Sequence, residues 1–213
     1  MFIRIKQQLG LQYYLIRMRL KLRRERSDFL RQIRDADVLK VVIGSSGIFE
    51  AGWMPSNHQY LNLLNRAHWD TAFQGRLLDG LLAEHVWEHL NAEDGVLALK
   101  LVYGYLKSGA RIRLAVPDGY SPDRAYIDAV KPGGSGAGSD DHKVLYNVDS
   151  LERAMTEAGF HVERLEYYDV AGHFQQAAWD RADGMVHRSL LHDERNVDGE
   201  IGYTSLILDG LKP

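Results

Sequence analysis

Residues 38–47 read VLKVVIGSSG, a run of β-branched and aliphatic residues that ends in a turn of glycine and serine. Such a run is typical of a buried parallel strand that feeds a tight loop. In an open α/β sheet, ligands bind beyond the carboxyl ends of the strands, where small residues let backbone N–H groups approach them. The stretch therefore predicts a strand followed either by a ligand-binding turn at 44–47 or by a plain tight turn.

Strand and helix patterns alternate after this strand. The sequence predicts extended segments at 53–57 and 60–64, strands at 77–83, 111–116, 162–170 and 203–209, and helices at 92–106 and 148–158. Residues 84–90 could open a further helix, and the glycine-rich stretch 133–138 is expected to form a flexible loop near a site. This alternation predicts an α/β, doubly wound sheet.

The charge of the chain is divided unevenly along its length. Residues 1–34 hold ten lysines and arginines against two acids, whereas the remaining 179 residues hold 16 bases and 27 acids. The net charge of −3 therefore combines a basic arm of +8 with an acidic body of −11. Such asymmetry indicates an anionic partner for the arm, either a membrane surface or a nucleic acid.

The basic arm has helical periodicity. Apolar residues recur at three- and four-residue steps, at Leu9, Tyr13, Ile16 and Leu20. Basic residues are expected on another face, at Arg17, Lys21 and Arg24. We predict an amphipathic helix with a break near Gly10. The helix either lies on anionic lipid or packs its apolar face on the body.

Two domains are expected, a basic helical arm over residues 1–36 and an α/β domain over residues 37–213. No apolar run is long enough to predict a membrane-spanning helix, and the first residues lack the pattern of a signal peptide. The chain has no cysteine, which excludes disulfides, thiolate metal sites and a cysteine nucleophile. These features predict a cytoplasmic protein, soluble or peripheral at a membrane.

The densest polar cluster of the chain is Glu84-His85-Val86-Trp87-Glu88-His89. Its His85-x-x-Glu88-His89 spacing matches the inverted zinc-protease pattern, in which two histidines on one helix face hold a metal. The alternative interpretation is that Trp87 and His89 only pack or cap. A zinc hydrolase built on these three residues therefore stays open as a second hypothesis.

Two further polar positions follow later strands. Asp118, after the strand at 111–116, is either a turn former or a site residue. His142, beside Asp140 and Asp141, either binds substrate or acts as a base, or it belongs to an exposed loop.

Four segments, taken in order, resemble the class I S-adenosylmethionine-dependent methyltransferases, in the small subgroup described as methyltransferase type 11-like. They are VVIGSSGIFEAGW (41–53), LLDGLLAEHVWEHL (77–90), YLKSGARIRLAVPDG (105–119) and DHKVLYNVDSLERAMTEAGF (141–160). The resemblance covers residues 38–210. It implies a Rossmann-like, mostly parallel, seven-stranded sheet with helices on both faces, preceded by the basic helix.

The same resemblance implies S-adenosylmethionine as cofactor and assigns site residues. Gly44, Ser45, Ser46 and Gly47 would line its methionine end, although the family usually has a second glycine where Ser46 stands. Asn57 would meet the ribose, in place of the family's acid. Glu84 and His85 would lie near the transferred methyl group, with Glu84 also available to the cofactor's ammonium. His142 would lie on the element that closes the site.

Methyl transfer needs alignment of the acceptor with the cofactor, a site without water and, for a hydroxyl acceptor, a base. His85 or His142 could serve as that base. We therefore expect O-methylation of a small-molecule or glycan-like acceptor, without a metal. The acidic body argues against a nucleic-acid substrate. The alternative to an enzyme is a protein of another functional class, a non-catalytic binding module that keeps the methyltransferase fold.

Overall fold

The computed structural model describes residues 2–45, 50–198 and 200–213, with side chains from Gln12 onward. The chain divides into two compact units, 1–37 and 38–213. Among the described residues, no helix is long and apolar enough to cross a membrane.

The first unit is one helix, α1 (Phe2–Asp35), which continues through Gly10 without the predicted break. Its side chains carry local ion pairs, such as Lys21–Glu25 at 3.6 Å. The Arg17 guanidinium lies 5.7 Å from the ring centroid of Tyr13. Arg17 and Tyr13, which were predicted on different faces, therefore adjoin on the helix surface. The side chain of Leu9 lies outside the described part.

The second unit contains seven strands and four helices in its described part. The strands are β1 (Lys40–Ile43), β2 (Met54–Pro55), β3 (Leu78–Glu84), β4 (Leu106–Val116), β5 (His161–Tyr168), β6 (Phe174–Gln176) and β7 (Leu206–Leu211). The helices are α2 (Arg66–Phe73), α3 (Ala92–Tyr105), α4 (Arg124–Val130) and α5 (Val148–Glu157).

The strands form one sheet in the order β2-β1-β3-β4-β7-β5-β6. Neighbours from β2 to β4 pair in parallel. Strand β7 is antiparallel to both β4 and β5, and β6 is antiparallel to β5. The prediction of a seven-stranded, mostly parallel, Rossmann-like α/β sheet is therefore confirmed. The strand order reverses between β1 and β3, which makes that point the topological switch of the sheet.

The sheet interior is apolar across its width. A cluster of buried residues takes one side chain from each of five strands: Val42, Leu82, Ala115, Leu165 and Ile207. Three helices lie next to one another, because α3 contacts α5 and the Tyr105 ring of α3 lies 5.2 Å from Trp69 of α2.

Two local predictions were wrong. Residues 60–64 are turns and not an extended segment, because Asn57 and Asn62 each accept a hydrogen bond from the backbone N–H two residues later. Asparagine favours such turns over strands. Residues 84–90 contain only a 3-10 turn at Trp87–His89, since His85 has a left-handed φ of 53° that interrupts helical geometry.

Candidate active site

A cleft of about 730 Å³ lies at the carboxyl ends of β1 and β3. The strand order reverses between these two strands, and ligands of open α/β sheets bind at such a switch point. The volume is within the range of small-molecule and cofactor sites, about 300–1,000 Å³. The cleft is therefore the candidate active site, and Gly44, Ser45, Glu84, His85 and His142 all line it.

The turn after β1 contributes backbone to the cleft. Gly44 has a φ of 65°, and a Cβ built on it would lie 2.9 Å from Cγ2 of Val86. Glycine is therefore required here by both conformation and space. Ser45 also lines the cleft. Ser46 and Gly47, the other two predicted residues of this turn, lie outside the described residues.

Asn57 follows β2 but is not among the described residues that line the cleft. Its side-chain oxygen accepts a hydrogen bond from the Gln59 N–H at 3.0 Å, and its carbonyl accepts from Tyr60 and Leu61. The observed role of Asn57 is thus to shape the turn after β2. Its predicted contact with a ribose stays a prediction.

Glu84 ends β3 and anchors a distant segment. Its two carboxylate oxygens accept backbone hydrogen bonds from His187 at 3.0 Å and from Arg188 at 2.8 Å. Both of those residues line the cleft as well. Glu84 therefore joins the end of β3 to the opposite part of the cleft.

His85 and Glu88 lie together at the same strand end. Nδ1 of His85 is 3.0 Å from Oε1 of Glu88, and Nε2 is 3.0 Å from the hydroxyl oxygen of Ser205. The side chain of His85 is 12% exposed and that of Glu88 is fully buried. Because residues 84–90 do not form an α-helix, His85 and His89 do not share a helix face. The helical arrangement of a zinc protease is therefore absent.

His142 reaches the cleft from the 3-10 turn at Ser139–Asp141. Its Nδ1 lies 2.7 Å from the Val130 carbonyl oxygen, so Nδ1 carries the proton and donates it. Nε2 is then left with a lone pair, 4.0 Å from Oε1 of Glu88. The structure thus brings the three predicted catalytic residues, Glu84, His85 and His142, into one cleft, with Glu88 between the two histidines.

The long segment between β6 and β7 forms another part of the cleft wall, and two buried charges of the sheet hold it. Arg113 of β4 donates to the carbonyl oxygens of Asp180 and Gly184 at 2.9 and 2.6 Å. Glu166 of β5 accepts from the Leu190 N–H and the Thr204 hydroxyl, both at 2.7 Å. The buried Arg113 is itself paired to Asp209 of β7.

This segment supplies site residues that sequence reasoning missed. Arg195 and Tyr203 line the cleft, and the Arg195 guanidinium lies 3.6 Å from the centroid of the Tyr203 ring. Tyr126 of α4 adds a second aromatic ring, 5.4 Å from Tyr203. No local pattern marks these residues, because their proximity depends on how the irregular segment folds. Glu88 carried a signal, since it belongs to the polar cluster at 84–89.

Asp118 is a structural residue outside the described lining of the cleft. Its carboxylate accepts backbone hydrogen bonds from Tyr120 at 2.9 Å and from Tyr168 at 2.7 Å. Burial raises the pKa of Asp118 to about 6, although its two hydrogen bonds with backbone N–H groups act to lower the pKa. Of the two alternatives for Asp118, the structure supports the turn former.

No protein-family model matches the chain, and the comparison with curated proteins gives no match. Among solved structures, the chain is similar to an S-adenosylmethionine-dependent methyltransferase from Archaeoglobus fulgidus, with 16% identity and a TM-score of 0.46 over 94% of this chain and 99% of that one.

Two further solved structures are similar. One is a methyltransferase from Thermotoga maritima described as a possible histamine N-methyltransferase, at 14% identity and a TM-score of 0.45 over 86% of this chain and 87% of that one. The other is an O-methyltransferase family protein from Burkholderia thailandensis, at 11% identity and a TM-score of 0.46 over 87% of this chain and 55% of that one.

Proposed function

We propose that this protein is an S-adenosylmethionine-dependent methyltransferase that acts on a small-molecule or glycan-like acceptor, at oxygen. The observation that carries the proposal is the cleft at the switch point between β1 and β3, which Gly44, Glu84 and His85 all line. The resemblance of four ordered segments to this enzyme class supports the same function.

The described residues suit the proposed cofactor. Gly44 offers exposed backbone without a side chain. The carboxylates of Glu50 and Glu84 line the same cleft; they accept hydrogen bonds from Arg181 and from the backbone at 187–188, and their remaining lone pairs would meet a cationic group. Gly44, Ser45, Ser46 and Gly47 would hold the methionine end, and Asn57 would meet the ribose. S-adenosylmethionine supplies an activated methyl group, so the protein must chiefly align the acceptor and exclude water.

For the acceptor, we assign the base to His85. The Glu88 carboxylate, 3.0 Å from Nδ1, stabilises a positive charge on the ring. Nε2 would then take the proton of an acceptor hydroxyl in place of its contact with Ser205. His142 faces the same space with the lone pair of Nε2 and is proposed to contact the acceptor.

The acceptor class is inferred from the remaining wall of the cleft. The rings of Tyr126 and Tyr203 and the guanidinium of Arg195 combine apolar faces with hydrogen-bond donors. Such walls suit a small hydroxylated ring, as in a sugar or a phenol. The acidic charge of the body makes a nucleic-acid substrate a poor fit.

Calorimetry with S-adenosylmethionine and S-adenosylhomocysteine tests the cofactor. We expect one molecule of either to bind the full-length protein. Absence of binding to a folded sample would overturn the enzyme proposal and favour a non-catalytic module of the same fold. Incubation with labelled cofactor and fractionated metabolites then identifies the acceptor, and His85→Gln should lower the rate without loss of cofactor binding.

We also propose that α1 contacts an anionic membrane surface, which would make the protein peripheral on the cytoplasmic side. The support is the charge of +8 over residues 1–34, together with the exposed side chains of Tyr13, Ile16 and Leu20. Basic side chains beside exposed apolar ones bind anionic lipid through both charge and burial.

A further inference from the structure

Three side chains at one end of the cleft form a cluster with the ligand types of a metal site. Glu88, His89 and His142 each offer a ligand atom, and these atoms lie within 4.8 Å of one another. The rings of His89 and His142 meet edge to face, with centroids 4.8 Å apart. The three residues come from two separate turns, so only the tertiary fold brings them together.

The Glu88 carboxylate is the most unusual member of the cluster. It is fully buried, and among the described residues neither Oε1 nor Oε2 accepts a hydrogen bond. His85 approaches Oε1 to 3.0 Å, but not with hydrogen-bond geometry. A buried carboxylate without donors costs free energy, and a bound cation would remove that cost.

His142 is held in the manner of a metal-ligating histidine. Nδ1 of His142 donates to the Val130 carbonyl at 2.7 Å, which fixes the ring and leaves the Nε2 lone pair facing Glu88. Ligating histidines in proteins are commonly held by such a bond from the other ring nitrogen. Nδ1 of His89 is buried without a hydrogen bond, and Oδ2 of Asp141 lies 3.5 Å from it.

We propose that Glu88, His89 and His142 bind a divalent transition-metal ion, with Zn²⁺ as the best match. Two imidazoles and one carboxylate are a common ligand set for such ions and leave coordination positions open. Bonds of about 2.1 Å place neighbouring ligand atoms roughly 3–4 Å apart, so small side-chain shifts bring this cluster to binding geometry.

The open positions of the ion face the cleft, because all three ligands line it. The ion would bind an oxygen atom of a ligand in the cleft and polarise it. That ligand must therefore carry an oxygen donor. Because the ion takes the lone pair of His142 and the carboxylate of Glu88, the acceptor contact proposed for His142 and the charge pair proposed for His85 belong to the metal-free site. Metal binding does not depend on the proposed methyl transfer, since it needs neither cofactor nor acceptor.

The test uses full-length protein without a histidine tag, treated with a chelator and then titrated with ZnCl₂ by calorimetry. We expect one Zn²⁺ per chain. Glu88→Gln and His142→Gln should each weaken binding at least about 100-fold, since even loss of outer-shell partners costs 10–100-fold. His161→Gln and His173→Gln, which alter exposed histidines outside the cleft, serve as matched controls with unchanged affinity.

A second measurement does not depend on variants that fold. Co²⁺ added to the wild-type protein should give strongly shifted proton NMR signals from two imidazole rings, including the hydrogen-bonded Nδ1–H of His142. Failure of the wild-type protein to bind Zn²⁺, or equal affinity in Glu88→Gln and the controls, would overturn the proposal.

Discussion

The Glu84 carboxylate accepts a hydrogen bond from the backbone N–H of Arg188 at 2.8 Å, across more than one hundred residues of sequence. Its second oxygen accepts from the neighbouring N–H of His187 at 3.0 Å. Glu84 is the last residue of β3, whereas Arg188 belongs to the irregular segment before β7. One side chain therefore fixes the distance between two walls of the cleft.

Replacement of Glu84 by glutamine should loosen that segment. The amide retains one acceptor oxygen and presents an N–H₂ group to the second backbone donor, so one hydrogen bond is lost at a cost of about 1–2 kcal/mol. We expect hydrogen exchange at the amides of His187 and Arg188 to become roughly tenfold faster.

Glu50→Gln is the matched control for this exchange experiment. Glu50 also lines the cleft, but its carboxylate bonds the side chain of Arg181 at 2.7 Å and not the backbone at 187–188. Exchange at His187 and Arg188 should therefore be unchanged in Glu50→Gln. Equal rates in Glu84→Gln and the wild-type protein would show that other contacts hold the segment.

Gly44→Ala should destabilise the protein through two separable effects. A left-handed backbone costs a side chain about 1–2 kcal/mol, and the new Cβ would also lie 2.9 Å from Cγ2 of Val86. Gly52→Ala isolates the first effect, because Gly52 has a φ of 85° and open space around it. Urea unfolding should show the larger loss for Gly44→Ala.

The double substitution Gly44→Ala with Val86→Ala checks the steric part of this prediction. Removing the Val86 methyl groups relieves the close contact. The loss of unfolding free energy that Gly44→Ala causes in the Val86→Ala background should therefore fall toward the loss that Gly52→Ala causes in the wild-type protein. An undiminished penalty would mean that the clash is not with Val86.

The buried carboxyl of Asp118 should make stability depend on pH. Burial raises its folded-state pKa to about 6, above the usual value of 3.8, so the folded protein holds this proton more tightly than the unfolded chain. The stabilisation is fully present below pH 3.8 and is lost as the pH rises through about 6. Its size is on the order of 2–3 kcal/mol.

Asp118→Asn removes this titration. Urea unfolding from pH 4 to pH 7 should therefore show a steeper fall of the free energy of unfolding in the wild-type protein than in the variant. The variant also loses one hydrogen-bond acceptor for the backbone N–H of Tyr120 or Tyr168, which lowers its free energy of unfolding by an amount that does not change with pH. The difference between the two pH slopes therefore reports the titration of Asp118. Parallel curves would contradict the prediction.

The proposed membrane contact of α1 predicts salt-sensitive binding to vesicles that contain phosphatidylserine. Substitution of Arg17, Lys21 and Arg24 by glutamine should weaken binding at least about tenfold, since each basic residue near an anionic surface contributes about 1 kcal/mol. Cosedimentation at low and high salt measures this.

A control for the vesicle experiment alters three lysines outside α1. Glutamine at Lys100, Lys131 and Lys143 removes the same charge, and all three side chains are about half exposed. Vesicle binding should be unaffected by these changes. If both triple variants bind equally, α1 is not the membrane-binding element.

The sequence predicted the strands and helices with strong local patterns. The β-branched run before Gly44 predicted β1, and the apolar runs at 77–83 and 111–116 predicted β3 and most of β4. Segments 60–64 and 84–90 were mispredicted because side-chain hydrogen bonds of Asn57 and Asn62, and the positive φ of His85, overrode the hydrophobic pattern.

The sequence by itself determined the α/β class, the position of the glycine turn and the placement of Glu84 and His85 at a strand end. These features depend on residue periodicity and on neighbours in the chain. The tertiary structure alone decided that Glu88 lies between His85 and His142, and that Arg195 and Tyr203 complete the cleft. The contact of Glu88 with His142 joins residues far apart in sequence. The segment that carries Arg195 and Tyr203 is held by hydrogen bonds to Glu84, Arg113 and Glu166, which no local pattern encodes.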